Sequence, residues 1–159
     1  MSSDSYLGEG GSTVHDLQKT PKITRVCLGD AWFGLAGDPS SLGNAIWALE
    51  QLDLARFDLR RDLRHYMAKK EVPTEVDISA LLCTKTAIFA VDDSWSAHPI
   101  LRPYCAIGVG RDFAMGMLAC LEETGDVADN PRGSLALVMK KTALMVDGVR
   151  APFHYSKKE

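Results

Sequence analysis

The stretch from Tyr104 to Leu121, YCAIGVGRDFAMGMLACL, limits what this chain can become. Residues 104–109 form a short apolar run of strand type, broken at Gly108 and Gly110, and apolar residues at helical spacing resume at Ala114, Met117, Leu118 and Leu121. The pattern predicts a buried strand that turns sharply into a helix. Two glycines stand where the backbone must turn, and Asp112 follows with a carboxylate suited to a helix N-terminus. A full GxGxxG fingerprint is absent, and no acidic residue follows at the end of a next strand, so the turn is not a dinucleotide cradle.

At 159 residues the chain has the length of one domain, expected over 1–159, and such a domain buries roughly 70% of its unfolded surface without staples. Cys27, Cys83, Cys105 and Cys120 show no CxxC pairing, and three of them lie in apolar runs, so they read as core thiols in a reducing compartment. The net charge of −3 gives no basic footprint for nucleic acid. No apolar run reaches the ~18 residues of a membrane helix and no leader pattern is present, so the expectation is a cytoplasmic protein with neither nucleic-acid nor membrane partners.

Residues 1–13, rich in Ser and Gly, read as a loop or ragged end. Lys22–Leu28 and Ala31–Ala36 alternate as strands around Gly29-Asp30 and predict a hairpin. Residues 37–41 carry helix-start signals, and Leu42, Ala45, Ile46 and Leu49 mark the buried face of the helix that follows. A second helix is expected over Asp58–Lys70, ended by Val72-Pro73. Ile78–Thr84, Thr86–Val91 and Ser94–His98 then predict a strand meander. After the 104–121 corner, Asn130-Pro131 opens a last helix with Leu135, Val138, Met139, Thr142 and Met145 on one face, and a short strand is expected near Pro152–Tyr155. Strands and helices are grouped rather than alternated, which predicts an α+β fold and disfavours a doubly wound parallel sheet. The expected core comprises Leu35, Ile46, Leu49, Leu82, Ile88, Ile107, Leu118 and Val138.

The segment Ala106-Ile107-Gly108-Val109-Gly110 followed by Ala114 resembles the strand-to-helix corner of the proteasome β-subunit and HslV family of N-terminal nucleophile hydrolases, whose members carry A-I-G-S-G-x-x-x-A-x-x-A there. Ser3-Asp4-Ser5, Lys22–Val26, Phe33–Asp38 and Asp147-Gly148-Val149 extend the resemblance across nearly the whole chain. It implies a four-layer αββα sandwich, here with the N-terminal strand missing or truncated. It also implies a threonine-type peptidase site in which Asp4 holds Lys22, Lys22 favours the ionised nucleophile, and the Gly37 N–H serves the oxyanion hole. By their residues alone, Asp4 reads as a loop carboxylate and Lys22 as a solvated lysine, while Gly37 reads equally as a strand-end glycine. Lys19 competes with Lys22, but Lys22 directly precedes the I-T-R-V strand.

Two departures bear on activity. Val109 stands where the peptidases have a serine, and no residue supplies the hydroxyl or thiol together with the free amine that this chemistry needs. Ser2 lies only two residues from Asp4, too near to sit across a hairpin from it. Whether the chain is an enzyme is thus left open between a peptidase subunit inactive in the sequence as given and a degenerate relative serving as a ring-forming scaffold or partner-binding protein. The family's partners would be further copies of the chain in a ring, a peptide or protein substrate, and an unfoldase or other protein. No cofactor or metal is expected: His15, His65, His98 and His154 lie on separate segments without ligand spacing, and no G-x-S-x-G elbow is present. Trp32, Trp47 and Trp95 read as core or subunit contacts.

Overall fold

A computed structural model describes residues 2–4, 8–9, 13–14, 23–37, 42–74, 78–147 and 153–155, with backbone alone for 2–4, 8–9, 13–14, 42 and 153–155. The chain divides into two compact units, one formed by Ile23–Cys105 and the other by Met1–Lys22 with Ala106–Lys157.

The Ile23–Cys105 unit is built on an antiparallel five-stranded sheet in the order β4 (Ile23–Val26), β5 (Ala31–Gly37), β6 (Ile78–Thr84), β7 (Ile88–Val91), β8 (Ala97–Ile100). Its register aligns two inward rows. Phe33 faces Leu82, which faces Phe89; Leu35 faces Ala80, then Val91, then Ala97. Between β5 and β6 the chain forms α1 (Leu42–Glu50) and α2 (Leu59–Lys69). Ala45, Ala48 and Leu49 of α1 and Leu59, Leu63 and Met67 of α2 join the same core as those rows, at the i, i+3/i+4 spacing of a helix covering a sheet. The Asp58 carboxylate caps α2 by accepting from the Arg60 N–H at 3.0 Å, and the Tyr66 hydroxyl donates to the Ala48 carbonyl at 2.8 Å, tying α2 to α1.

In the other unit β1 (Ser2–Asp4) pairs antiparallel with β9 (Phe153–Tyr155), and β2 (Gly8–Glu9) pairs with β3 (Thr13–Val14). Helices α3 (Arg111–Glu123), the single-turn α4 (Asp126–Asp129) and α5 (Pro131–Met145) complete it. α5 packs against α3 and against β1. The Asn130 side chain caps α5 by accepting from the Gly133 N–H at 3.0 Å, with Pro131 in the first turn where its missing N–H leaves no helical bond unmade.

The hairpin, both helices between β5 and β6, the three-strand meander and the helices after the glycine corner follow the sequence expectations to within a few residues at their ends. Four expectations are corrected. Residues 104–109 form no strand; Tyr104 is buried, but the run reaches α3 through a turn without a strand assignment. Residues 1–13, expected as a loop, contribute β1, β2 and one residue of β3. Ile46, Ile88 and Ile107 are only partly buried; for Ile88 the reason is that the inward row of β7 is Phe89 and Val91, which puts it on the opposite face. Of the cysteines only Cys27 is fully buried; Cys83 and Cys105 are half-buried and Cys120 is exposed.

Candidate functional site

The structure places the residues carried by the resemblance unevenly. Asp4 ends β1, with its Cα opposite Phe153. Gly37 ends β5, opposite Ile78, in the other unit, and adopts φ 117°, a conformation that glycine enters without a Cβ clash. Lys22, Asp38, Gly148 and Val149 lie outside the described residues.

The glycine corner is described in full. Gly108 adopts φ 84°, so the first glycine meets a left-handed requirement rather than merely lightening the turn. The Arg111 N–H donates to the Gly108 carbonyl at 3.0 Å, and the Ala114 N–H to the Gly110 carbonyl at 3.0 Å, which closes the turn and opens α3. Gly110 is the helix cap and offers no side-chain acceptor; Asp112 supplies the carboxylate in the first turn. Val109 stands between the glycines with 73% of its surface exposed. An isopropyl group offers neither donor nor acceptor, so the Val109 side chain cannot hydrogen-bond a neighbouring amine.

A polar cluster that the sequence pattern did not disclose occupies the loop between β7 and β8. The Asp92 Oδ1 accepts from the Ser94 N–H at 3.0 Å, the Ser94 hydroxyl at 2.8 Å and the Ser96 N–H at 2.9 Å, while Oδ2 lies 3.1 Å from His98 Nε2. The Ser94 and Ser96 hydroxyls are 2.9 Å apart. Burial pushes the Asp92 carboxyl up, but the hydrogen bonds from Ser96, Ser94 and His98 outweigh it and hold the group below its ordinary value. Serine, histidine and aspartate are all present, yet the Ser94 hydroxyl is bound to the carboxylate instead of the imidazole. The imidazole is not placed to take its proton, as a serine nucleophile of the triad type needs, and the contacts staple the loop. The signal available in the sequence was Asp92-x-Ser94, a spacing at which aspartate hydrogen-bonds its own backbone two residues on. Among the described residues no group of three or more His, Cys, Asp or Glu side chains is placed to hold a metal ion, and no helix is long and apolar enough to cross a membrane.

The antiparallel sheet with its helix pair, together with the glycine corner feeding a helical hairpin, defines an HslV-like mixed α/β fold. HslV from Trypanosoma brucei shares it at a TM-score of 0.70 and 18% identity, over 96% of this chain and 88% of that one. BPH from Thiobacillus denitrificans shares it at the same identity and coverage, with TM-scores of 0.68 alone and 0.63 in complex with epoxomicin. No family model and no curated protein matches the sequence.

Proposed function

We propose that this chain is a subunit of the proteasome- and HslV-like class of N-terminal nucleophile hydrolases, a single αββα domain that assembles with its own copies into a ring and does not itself cleave peptides. The observation that carries the reading is the fold shared with HslV over 96% of the chain. In this reading Asp4, Lys22 and Gly37 are the frame of a peptidase site: Asp4 orients Lys22, the ammonium favours an ionised nucleophile, and the Gly37 N–H faces developing negative charge. A frame lowers the barrier only for an attack that some group makes. Ser2 and Asp4 share strand β1, opposite Tyr155 and Phe153, and their Cα atoms are about 7 Å apart along it. They do not face each other across a strand pair, as a nucleophile and its supporting aspartate require. Val109 in place of serine removes a further polar contact from the same frame.

The test is incubation of the purified 159-residue protein with short fluorogenic peptides and with epoxomicin, the compound bound in the BPH structure. The expected result is no turnover and no covalent mass increase. Turnover abolished by Ser2→Ala makes Ser2 the nucleophile and the chain a peptidase. Turnover that survives Ser2→Ala and is lost in Lys22→Ala overturns the non-hydrolytic reading by another route.

A further inference from the structure

The outer half of α2 is a basic face that the stability of the fold does not account for. Around the helix, Leu59, Leu63 and Met67 hold the core side, and the opposite side carries exposed Arg60, Arg61, Arg64, His65 and Lys69 with Ala68 among them. Arg60 and Arg64 stand four residues apart and Arg61 and Arg64 three, spacings at which like charges cost helix stability. Four of the chain's nine arginines fall within residues 56–64. The acidic residues of the same stretch are engaged elsewhere: Asp53 lies 3.6 Å from Arg56, Asp58 caps α2, and Asp62, half-buried at the margin of the face, binds Arg61 through both oxygens at 2.8 and 3.0 Å. Arg60, Arg64 and Lys69 have no ion pair among the described residues. By the C-terminal end of α2 stands Trp47 of α1, 53% exposed. The Lys70 ammonium lies 5.1 Å from its ring centroid and donates to Gln51 Oε1 at 2.8 Å, which holds the ring beside the basic face. Glu50 and Glu71 are exposed at this end and offset Lys69 and Lys70, so the excess charge lies over Arg60 and Arg64.

We infer that this surface binds single-stranded nucleic acid, with phosphates on Arg60, Arg64 and Lys69 and a base stacked on Trp47. A guanidinium is a planar fork that takes two phosphate oxygens, and a row of cations along one helix side matches a polymer that carries one charge per repeat. From residue 60 to residue 70 the chain rises about 15 Å, room for about four nucleotides at ~3.4 Å each. A basic track beside an exposed ring is the pairing that holds single strands without reading their sequence: the cations follow the backbone, and the ring offers a face on which any base stacks. A duplex keeps its bases inside and leaves Trp47 without a partner, and an acidic peptide brings no base to stack. The whole-chain charge of −3 conceals this face because the acidic residues lie mostly on other elements. The inference uses only the helix pair of the Ile23–Cys105 unit and depends neither on the ring nor on the peptidase site.

The experiment is fluorescence anisotropy of a fluorescein-labelled oligo-dT of about 12 nucleotides, titrated with the full-length protein between about 50 and 200 mM salt. The expected result is saturable binding whose logarithm falls with the logarithm of salt at a slope near −2, for about three phosphate contacts at ~0.7 each. Arg60→Ala/Arg64→Ala is expected to weaken binding about tenfold or more and to bring the slope toward about −0.7. Trp47→Ala is expected to weaken it about fivefold or more, as the loss of one stacked base does, and to leave the slope unchanged. All three side chains are exposed, and circular dichroism confirms that each variant is folded. A duplex of the same length and a poly-glutamate peptide are expected to compete more weakly than the unlabelled oligonucleotide. Absence of binding at about 50 mM salt overturns the inference, as does binding unchanged in Arg60→Ala/Arg64→Ala. Unchanged binding in Trp47→Ala, or equal competition by poly-glutamate, overturns it in favour of a general anion surface.

Discussion

Trp95 is the largest fully buried side chain of the described residues, and it holds φ 62°. Bulky residues avoid that region, so the surroundings must over-determine it. The Trp95 N–H donates to the Asp92 carbonyl at 3.0 Å, the Asp92 N–H to the Ser96 carbonyl at 3.2 Å, and the indole Nε1 to the Pro73 carbonyl at 2.8 Å. Trp95→Ala is expected to cost about 3–5 kcal/mol in urea unfolding, from lost burial and the cavity left behind. Trp95→Phe keeps most of the ring and strands the Pro73 carbonyl, for about 1–3 kcal/mol; equal stability of Trp95→Phe and wild type would show that the indole bond contributes nothing. Asp92 adds a pH dependence. Its carboxyl is held below the ordinary value, so its contribution is fully present above the unfolded aspartate pKa near 3.9 and is lost as pH falls through the folded value. Asp92→Asn is therefore expected to be less stable than wild type at pH 7, with the gap closing below about pH 4. With 41% of its side chain exposed, the group is screened by solvent, so the difference is small and shrinks in salt.

Among the elements, the hairpin joining β4 to β5 stores strain of the same kind. Cys27, Leu28 and Gly29 all have positive φ, at 55°, 54° and 92°, and the Asp30 N–H closes the turn on the Cys27 carbonyl at 2.9 Å. Leu28 and Gly29 take the place of the Asn-Gly pair that such turns favour. Because Leu28 is 69% exposed, Leu28→Asn removes little burial and relieves a left-handed leucine, so thermal unfolding is expected to show a gain of about 1 kcal/mol. A loss instead would assign the Leu28 side chain a packing role. Elements such as this hairpin and α2 were legible because their cause is local: alternation and a tight turn in one, periodic Leu59, Leu63 and Met67 behind a capping Asp58 in the other. Residues 104–109 misled because a short apolar run does not by itself establish ladder pairing: of these residues only Tyr104 is buried, and Val109 is 73% exposed. β1 was hidden because its strand character comes from pairing with β9 at the far end of the chain. The left-handed Trp95 was hidden because only tertiary packing selects it. Of the candidate site, Gly37 and Gly108 were legible as glycines that a backbone needs, while the Asp92 cluster required the hairpin loop to be folded before its partners met.

For the whole molecule, the distribution of exposed apolar surface decides how stability depends on concentration. Among the described residues, the unit that contains α3 and α5 has only two-stranded ribbons beside its helices, and a two-stranded ribbon alone is marginal in water. The same unit exposes Val109, Leu137, Leu144 and Met145. Any contact that covers these groups in the native state and not in the unfolded chain stabilises by mass action. The Tm of the wild type is therefore expected to rise with protein concentration, by roughly 3–5 °C over about a hundredfold range for a two-copy equilibrium in a chain of this size. Differential scanning calorimetry at several concentrations separates the alternatives. A flat wild-type profile means that the unit is stable uncovered.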